Sequence, residues 1–149
     1  MPVVQIQLEE WAEGVQARAV RCRVDSLKLL KEINKRAKEK NKIINCLIQV
    51  KIANEENKYG FKINEISDVM SYASELEHIL IKGLMGMATN TDNNNLIDRE
   101  FKLLNKEFKK YKSKIFNVIS MGMSNDYKLA ISNESNMIRL GSIIFGVRK

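Results

Sequence analysis

Histidine, cysteine and proline are scarce in this chain. Its 149 residues include one histidine, two cysteines and one proline. Two cysteines are too few for a disulfide framework, and a single histidine does not allow a cysteine–histidine zinc set to be assembled. The sequence therefore predicts no metal site and two reduced thiols, Cys22 and Cys46.

Long hydrophobic runs are missing as well. No apolar stretch approaches the roughly 20 residues that span a bilayer, and the first residues lack a basic segment followed by an apolar one. We therefore expect a cytoplasmic protein without a membrane partner. With 149 residues, of which 44% are hydrophobic, the chain suits one compact domain.

A formal net charge of +7 is common among nucleic-acid-binding proteins, so the distribution of the charge matters. Basic residues crowd residues 99–114, but acidic residues are interspersed with them. Apolar residues recur there at steps of four and three, which predicts an amphipathic helix with a solvated basic face. No aromatic-rich RNA-binding strand accompanies it, so we expect no nucleic-acid partner. The apolar positions are Ile97, Phe101, Leu104, Phe108 and Tyr111.

Segments of helical and strand character alternate along most of the chain. Helices are predicted at residues 27–37, 66–76, 97–111 and 127–131, with Asp25 as the cap of the first, and strands at residues 46–52, 79–87, 115–121 and 137–140. Such regular alternation is typical of parallel strands joined by right-handed crossovers. The sequence therefore predicts an α/β fold.

Two turns near the end of the chain have the chemistry of an anion site. Residues 120–126 (SMGMSND) and 138–146 (IRLGSIIFG) each run an apolar strand into a turn with glycine and serine. Glycine lets the main chain approach an anion closely, a serine hydroxyl adds a donor, and amides at a helix start carry the positive end of its dipole. The pattern predicts a phosphate site.

Together with residues 49–61 (QVKIANEENKYGF) and 82–87 (KGLMGM), these turns resemble the YggS/PROSC family of pyridoxal phosphate homeostasis proteins. The similarity runs from about residue 24 to residue 148. It implies a barrel related to the alanine racemase N-terminal domain, which holds pyridoxal 5′-phosphate (PLP) and buffers its supply without a settled catalytic reaction. Since a complete barrel has about 250 residues, we expect a partial (β/α)8 TIM-type barrel, about the second half, with four to five parallel strands.

The resemblance also implies how the cofactor is held. Ser124 and the backbone amides of Gly141 and Ser142 would bind the phosphate, and Arg139 would face the pyridine nitrogen. A guanidinium can only donate, so a ring nitrogen opposite it stays unprotonated and the cofactor is a poor electron sink. That arrangement suits a carrier, and we predict no catalytic residue.

Residues 1–23 differ in composition from the rest. Residues 1–27 contain three arginines and no lysine, whereas the chain from Lys28 onward has eighteen lysines and four arginines. We interpret residues 1–23 as an atypical segment, foreign, frame-shifted or a lineage-specific extension, before a truncated PLP-binding barrel domain at residues 24–149. In the family the first barrel strand supplies the lysine that bonds to PLP. Its absence predicts weak, non-covalent and impaired binding.

Two alternatives to PLP homeostasis stay open. One is a ligand-free half-barrel fragment that self-associates, and the other, resting on charge alone, is a basic RNA-binding module. Half a barrel leaves two open edges, one of them at residues 137–140, and exposes apolar interior side chains, so we predict a homo-oligomer. Lys51 occupies a position where the family usually has asparagine. A covalent bond between Lys51 and PLP, in place of the missing lysine, is a minor alternative.

Overall fold

A six-stranded parallel sheet with helices along one face forms the fold. The computed structural model describes residues 5–6, 22–55 and 59–146. The strand order is β1-β6-β5-β4-β3-β2, and every neighbouring pair is parallel. The strands are β1 (Gln5–Ile6), β2 (Cys22–Val24), β3 (Ile44–Val50), β4 (Ile79–Gly86), β5 (Val118–Ser120) and β6 (Met137–Ile138).

In the described part of the chain, five helices connect or follow these strands. They are α1 (Leu27–Glu39), α2 (Ile66–Ser74, preceded by a 3-10 turn at Ile63–Glu65), α3 (Asn94–Tyr111), α4 (Tyr127–Ser132) and α5 (Ser142–Phe145). The alternation expected from the sequence is confirmed, and α3 buries its apolar stripe while its lysines face solvent. None of the helices in the described ranges is both long and apolar enough to cross a membrane.

The cap of α1 is Ser26 and not Asp25. Ser26 has an extended backbone (φ −154°, ψ 152°), and its side chain accepts a hydrogen bond from the Leu29 amide at 3.3 Å. That bond satisfies one of the backbone donors that a helix start leaves unpaired. The expected cap was therefore wrong by one residue, because the helix begins at Leu27 and the residue directly before it takes this role.

Both edges of the described sheet come from the beginning of the chain. In β1, Gln5 pairs with Met137 and Ile6 with Ile138, while β2 pairs with β3. The prediction of an open edge at residues 137–140 was wrong, because β6 has a partner on each side. Strand β2 also crosses the predicted boundary between residues 23 and 24. The other residues of the 1–23 segment lie outside the described part.

Side chains of each strand alternate between two faces. On the outer face, Ile48 and Leu84 pack against the helices in one large apolar cluster with Phe101. On the opposite, inner face, Leu47, Met85 and Met137 form a second cluster, with exposures of only 2%, 0% and 6%. The predicted exposure of interior apolar side chains was therefore wrong for this cluster, whose members pack on one another.

Gly83 allows β4 to approach β5 closely. Opposite β3, strand β4 has one extra residue, since Cys46 pairs with Ile81 but Leu47 pairs with Gly83. This bulge brings Gly83 opposite Val118, and a Cβ on Gly83 would lie 1.7 Å from the Val118 carbonyl oxygen. A side chain at position 83 would separate the two strands, which is why glycine occupies it.

Candidate functional site

The two predicted turns meet at one edge of the sheet. Strand β5 ends at Ser120 and β6 at Ile138, and these strands are parallel neighbours, so their carboxyl ends lie side by side. The Arg139 amide donates to the Gly122 carbonyl at 2.9 Å and ties the two turns together. Carboxyl ends of parallel strands are where ligands bind in α/β folds.

The Ser124 hydroxyl lies against the start of α5. Its Oγ accepts hydrogen bonds from the amides of Gly141 at 3.3 Å and Ile143 at 3.4 Å. Between these two residues, the Ser142 amide has no acceptor within the described residues. The structure therefore brings together three of the predicted site residues, Ser124, Gly141 and Ser142, with Ile143 as an additional amide donor.

Neither packing nor backbone conformation explains the glycine at position 141. Gly141 has φ −123°, outside the left-handed region, and a Cβ added to it would meet no atom within 4 Å. Gly122 in the facing turn is different, because its φ is +101° and a Cβ would lie 2.6 Å from the Ala130 Cβ. The open space beside Gly141 is what close approach of an anion to the backbone requires.

Arg139 lies on the inner face beside these turns and is held by three hydrogen bonds. Its Nη1 donates to the Ser120 carbonyl at 3.1 Å and to Ser120 Oγ at 2.7 Å, and its Nη2 donates to the Gly86 carbonyl at 3.0 Å. Burial, followed by the charge of Arg23, lowers the pKa of Arg139 to about 10, and Asp126 opposes this shift. At neutral pH the guanidinium is therefore still protonated and remains a donor.

Three contributors to this site were not predicted from the sequence. Ser120 and Gly86 orient the Arg139 guanidinium, and Arg23, which pairs with Leu47 in the β2–β3 register, adds a second positive charge. A serine inside an otherwise apolar strand was an available signal for Ser120. No comparable signal pointed to Arg23, because it lies in residues 1–23, whose composition differs from that of the rest of the chain.

Lys51 follows β3 at the same carboxyl edge. Its amide donates to the Phe61 carbonyl at 2.8 Å, and the residue is half-buried. Within the described residues its ammonium has no hydrogen bond or ion pair. No group of three or more histidine, cysteine, aspartate or glutamate side chains that could hold a metal occurs in the described part of the chain.

A parallel sheet with outer helices and an amide-lined corner at its carboxyl edge defines a partial barrel of the (β/α)8 class. A sequence model of the family described as "Alanine racemase, N-terminal domain" matches residues 3–149. The chain therefore belongs to the alanine racemase N-terminal domain family, in its YggS/PROSC group. Because the match begins at residue 3, it includes most of the compositionally atypical segment. The division at residue 23 remains a prediction.

Relatives within this group share about half of their length with the chain. A pyridoxal phosphate homeostasis protein of Helicobacter pylori is 39% identical over 123 residues, which cover 82% of this chain and 54% of that protein. PipY of Synechococcus elongatus, solved without PLP, is 26% identical with a TM-score of 0.75, covering 84% of this chain and 60% of PipY. PipY solved with PLP bound is 22% identical in its alignment, with a TM-score of 0.72 over 84% and 59% of the two chains.

Proposed function

We propose that this chain binds PLP and serves in its homeostasis as a carrier and not as a catalyst. The identity of 39% to a pyridoxal phosphate homeostasis protein, over 82% of this chain, supports the proposal. The structural observation behind it is the convergence of Ser124 Oγ with the amides of Gly141 and Ile143, at 3.3 and 3.4 Å.

The residues at this corner suit a phosphate group. A hydroxyl and consecutive amides at the start of α5 are donors for phosphate oxygens, and the space beside Gly141 is open. Arg23 and Arg139 add positive charge, whereas the nearby Asp126 carboxylate opposes it but is itself bound by the Met123 amide at 2.6 Å. The phosphate is proposed to be held by Ser124 and the amides of Gly141 and Ser142.

Arg139 is proposed to face the pyridine nitrogen. When bound, PLP supplies an aldehyde that reacts with primary amines and a ring that withdraws electrons if its nitrogen is protonated. Arg139 stays protonated at neutral pH and cannot accept a further proton, and Ser120 and Gly86 fix its orientation. A ring nitrogen facing it stays unprotonated, which favours storage of the cofactor over its use as an electron sink.

The binding is proposed to be non-covalent and weaker than in the family. Strand β1, which lies beside β6, consists of Gln5 and Ile6, and no lysine precedes Lys28 in this chain. Without an imine to a lysine, affinity comes from the phosphate donors and the ring contacts alone. A ligand-free half-barrel is the alternative that the binding experiment separates from this proposal.

Equilibrium dialysis with PLP tests the corner. The double variant Ser124→Ala/Gly141→Val removes the hydroxyl and fills the space beside the amides. Each lost charge-assisted hydrogen bond is worth roughly 1.5–3 kcal/mol, so the affinity should fall at least about tenfold. A Cβ at position 141 meets no atom within 4 Å, so the melting temperature without ligand should change little.

Ser132→Ala is the matched control, because this exposed hydroxyl donates to the Leu129 carbonyl at 2.8 Å and has no other hydrogen bond among the described residues. It should leave PLP binding unchanged. Equal affinity in the wild type and the double variant would show that the corner is not the site. Absence of PLP binding in the wild type would favour the ligand-free half-barrel.

Borohydride reduction in the presence of PLP tests the non-covalent mode. We expect no stoichiometric label on a single lysine in peptide mapping. Stoichiometric labelling of Lys51, abolished by Lys51→Arg, would contradict this and identify a relocated anchor. Scattered low-level labelling of surface lysines agrees with the proposal, because free PLP reacts with exposed amines in general.

A further inference from the structure

Cys22 and Cys46 face each other across neighbouring strands. In the parallel pairing of β2 with β3, Cys22 is the register partner of Cys46. Paired residues of adjacent strands direct their side chains to the same face, and the strands lie about 4.8 Å apart. That spacing falls within the Cα separation of about 4.4–6.8 Å found in disulfides. Both cysteines are free thiols here.

The two thiols differ in accessibility. Cys46 is 0% exposed in the layer between sheet and helices, whereas Cys22 is half-buried. Cys22 lines a groove of about 410 Å³ between α1 and the sheet, whose walls include the apolar side chains of Ile33 and Ala37. The cationic side chains at this groove are those of Arg36, Lys40 and Lys42, and Arg36 is paired with Glu32 at 2.7 Å. A small anionic molecule can therefore reach Cys22 but not Cys46.

Exposure and the neighbouring Cys46 thiol make Cys22 the nucleophile of the pair. A hydrogen bond from Cys46 lowers the pKa of Cys22 to about 6, although burial acts in the opposite direction. The hydrogen bond with Cys22, and then burial, raise the pKa of Cys46. The single Cys46 proton has one alternative acceptor, the Ile44 carbonyl at 3.7 Å. Cys22 is therefore the thiol of the pair that forms a thiolate more readily.

We propose that Cys22 is a redox-modification site that reacts with a small anionic disulfide, after which Cys46 closes an intramolecular disulfide between β2 and β3. In the first step Cys22 Sγ bonds to one sulfur of the small disulfide, whose S–S bond breaks and whose other half leaves as a thiolate. In the second step Cys46 Sγ attacks Cys22 Sγ, the bond from Cys22 to the second half breaks, and that half leaves with the Cys46 proton as a thiol, while the first thiolate takes a proton from water. The protein loses two electrons, and the small disulfide becomes two thiols.

The bridge would fasten an edge strand of the described sheet. Strand β2 has three residues and a single pairing partner, so it depends on few backbone hydrogen bonds. Its Cys22 side chain lies on the outer face with α1, whereas the adjacent Arg23 is the register partner of the inner-face residue Leu47. The thiol pair is therefore separate from the phosphate corner, and its test does not depend on PLP.

Oxidised glutathione, an anionic disulfide, is the probe for the full chain under native conditions. Intact-mass measurement should show the loss of two hydrogens per chain, and peptide mapping should find Cys22 linked to Cys46, reversibly with reductant. Cys46→Ser should stop at a stable mixed disulfide on Cys22. Cys22→Ser should leave Cys46 at least about tenfold less reactive, because that thiol is buried and protonated.

Two further readouts distinguish the proposed site from ordinary surface thiols. Alkylation of Cys22 should be half-maximal at a lower pH in the wild type than in Cys46→Ala, which removes the hydrogen-bond donor. Lys40→Glu/Lys42→Glu should slow oxidation by glutathione disulfide and accelerate it by cystamine, a cationic disulfide. The proposal is overturned if both thiols stay reduced in excess oxidised glutathione, if bridges form only between chains, or if closure is equally fast in denaturant.

Discussion

The two faces of the sheet are built from alternate residues of the same strands, yet they are packed differently. On the outer face, Ile48 of β3 and Leu84 of β4 are fully buried against helical side chains such as Phe101. On the inner face, the apolar cluster consists of Leu47, Met85 and Met137 among the described residues, with Met87 and Val118 packed against it.

Polar groups are what distinguish the inner face. Ser120 directly follows the outer-face residue Ile119, so its side chain lies on the inner face. Arg139, directly after Ile138, lies there too, and its guanidinium donates hydrogen bonds to Ser120 and Gly86. Gln49 on β3 is 8% exposed and donates to the Tyr59 carbonyl at 3.0 Å. Packing against helices thus determines the outer face, whereas the inner face combines a small methionine-rich cluster with oriented donors that suit a ligand.

The largest expected effect concerns assembly. The inner cluster is buried within one chain and β6 is paired, so the open edges of the described sheet are β1, with two residues, and β2, with three. Unpaired backbone groups at such edges favour pairing with another chain. We expect sedimentation velocity at micromolar concentration to show a dimer or larger species. A compact, cooperatively unfolding monomer would contradict this prediction and show that the chain covers its own edges.

Truncating neighbouring residues of β3 compares the two faces directly. Ile48→Ala on the outer face should lower the free energy of unfolding by about 3–5 kcal/mol, since the surrounding helices cannot collapse into the cavity. Leu47→Ala on the inner face should lower it by only about 2 kcal/mol, because Met85 and Met137 are flexible and can fill the space. Urea denaturation measures both values. Equal losses, or a larger loss for Leu47→Ala, would show that the inner face is packed as rigidly as the outer one.

A smaller effect is expected where the outer helical layer begins. Ser26→Ala removes the hydroxyl that accepts from the Leu29 amide at 3.3 Å, so it should lower the free energy of unfolding by about 1 kcal/mol. Asp25→Ala, next to it, should change it by no more than a few tenths. Thermal or urea denaturation distinguishes the two, and a reversed order would restore Asp25 as the cap.

The sequence predicts the outer face better than the inner one, for a physical reason. Helical and strand periodicities record burial against helices, so α3 and the order of strands from β3 to β6 follow from the residues themselves. The two turns, residues 120–126 and 138–146, were predicted as an anion site from their chemistry, because glycine and serine at the end of a strand provide accessible amides and a hydroxyl. The choice of Ser124 and Gly141 within them came from the family resemblance. The partners of Arg139 and the pairing of β1 with β6 depend on contacts between residues distant in sequence, which no local pattern records.

The smallest stability effect is expected at Arg139, although it makes three hydrogen bonds on the inner face. Burial lowers the pKa of its guanidinium to about 10, so the folded protein disfavours the charge that these bonds stabilise. Arg139→Met removes the cost of partly burying this cation and also removes its three hydrogen bonds to Ser120 and Gly86, so the two effects on stability oppose each other. We expect the free energy of unfolding to change by less than about 1 kcal/mol while PLP affinity falls, as measured by urea denaturation and dialysis. Arg139→Lys, which keeps a charge but not the planar fork, should also lose affinity. A stability loss of about 3 kcal/mol in Arg139→Met would instead show that Arg139 holds β4, β5 and β6 together. The inner face would then contribute to stability as the outer face does, and the contrast between the two faces would be lost.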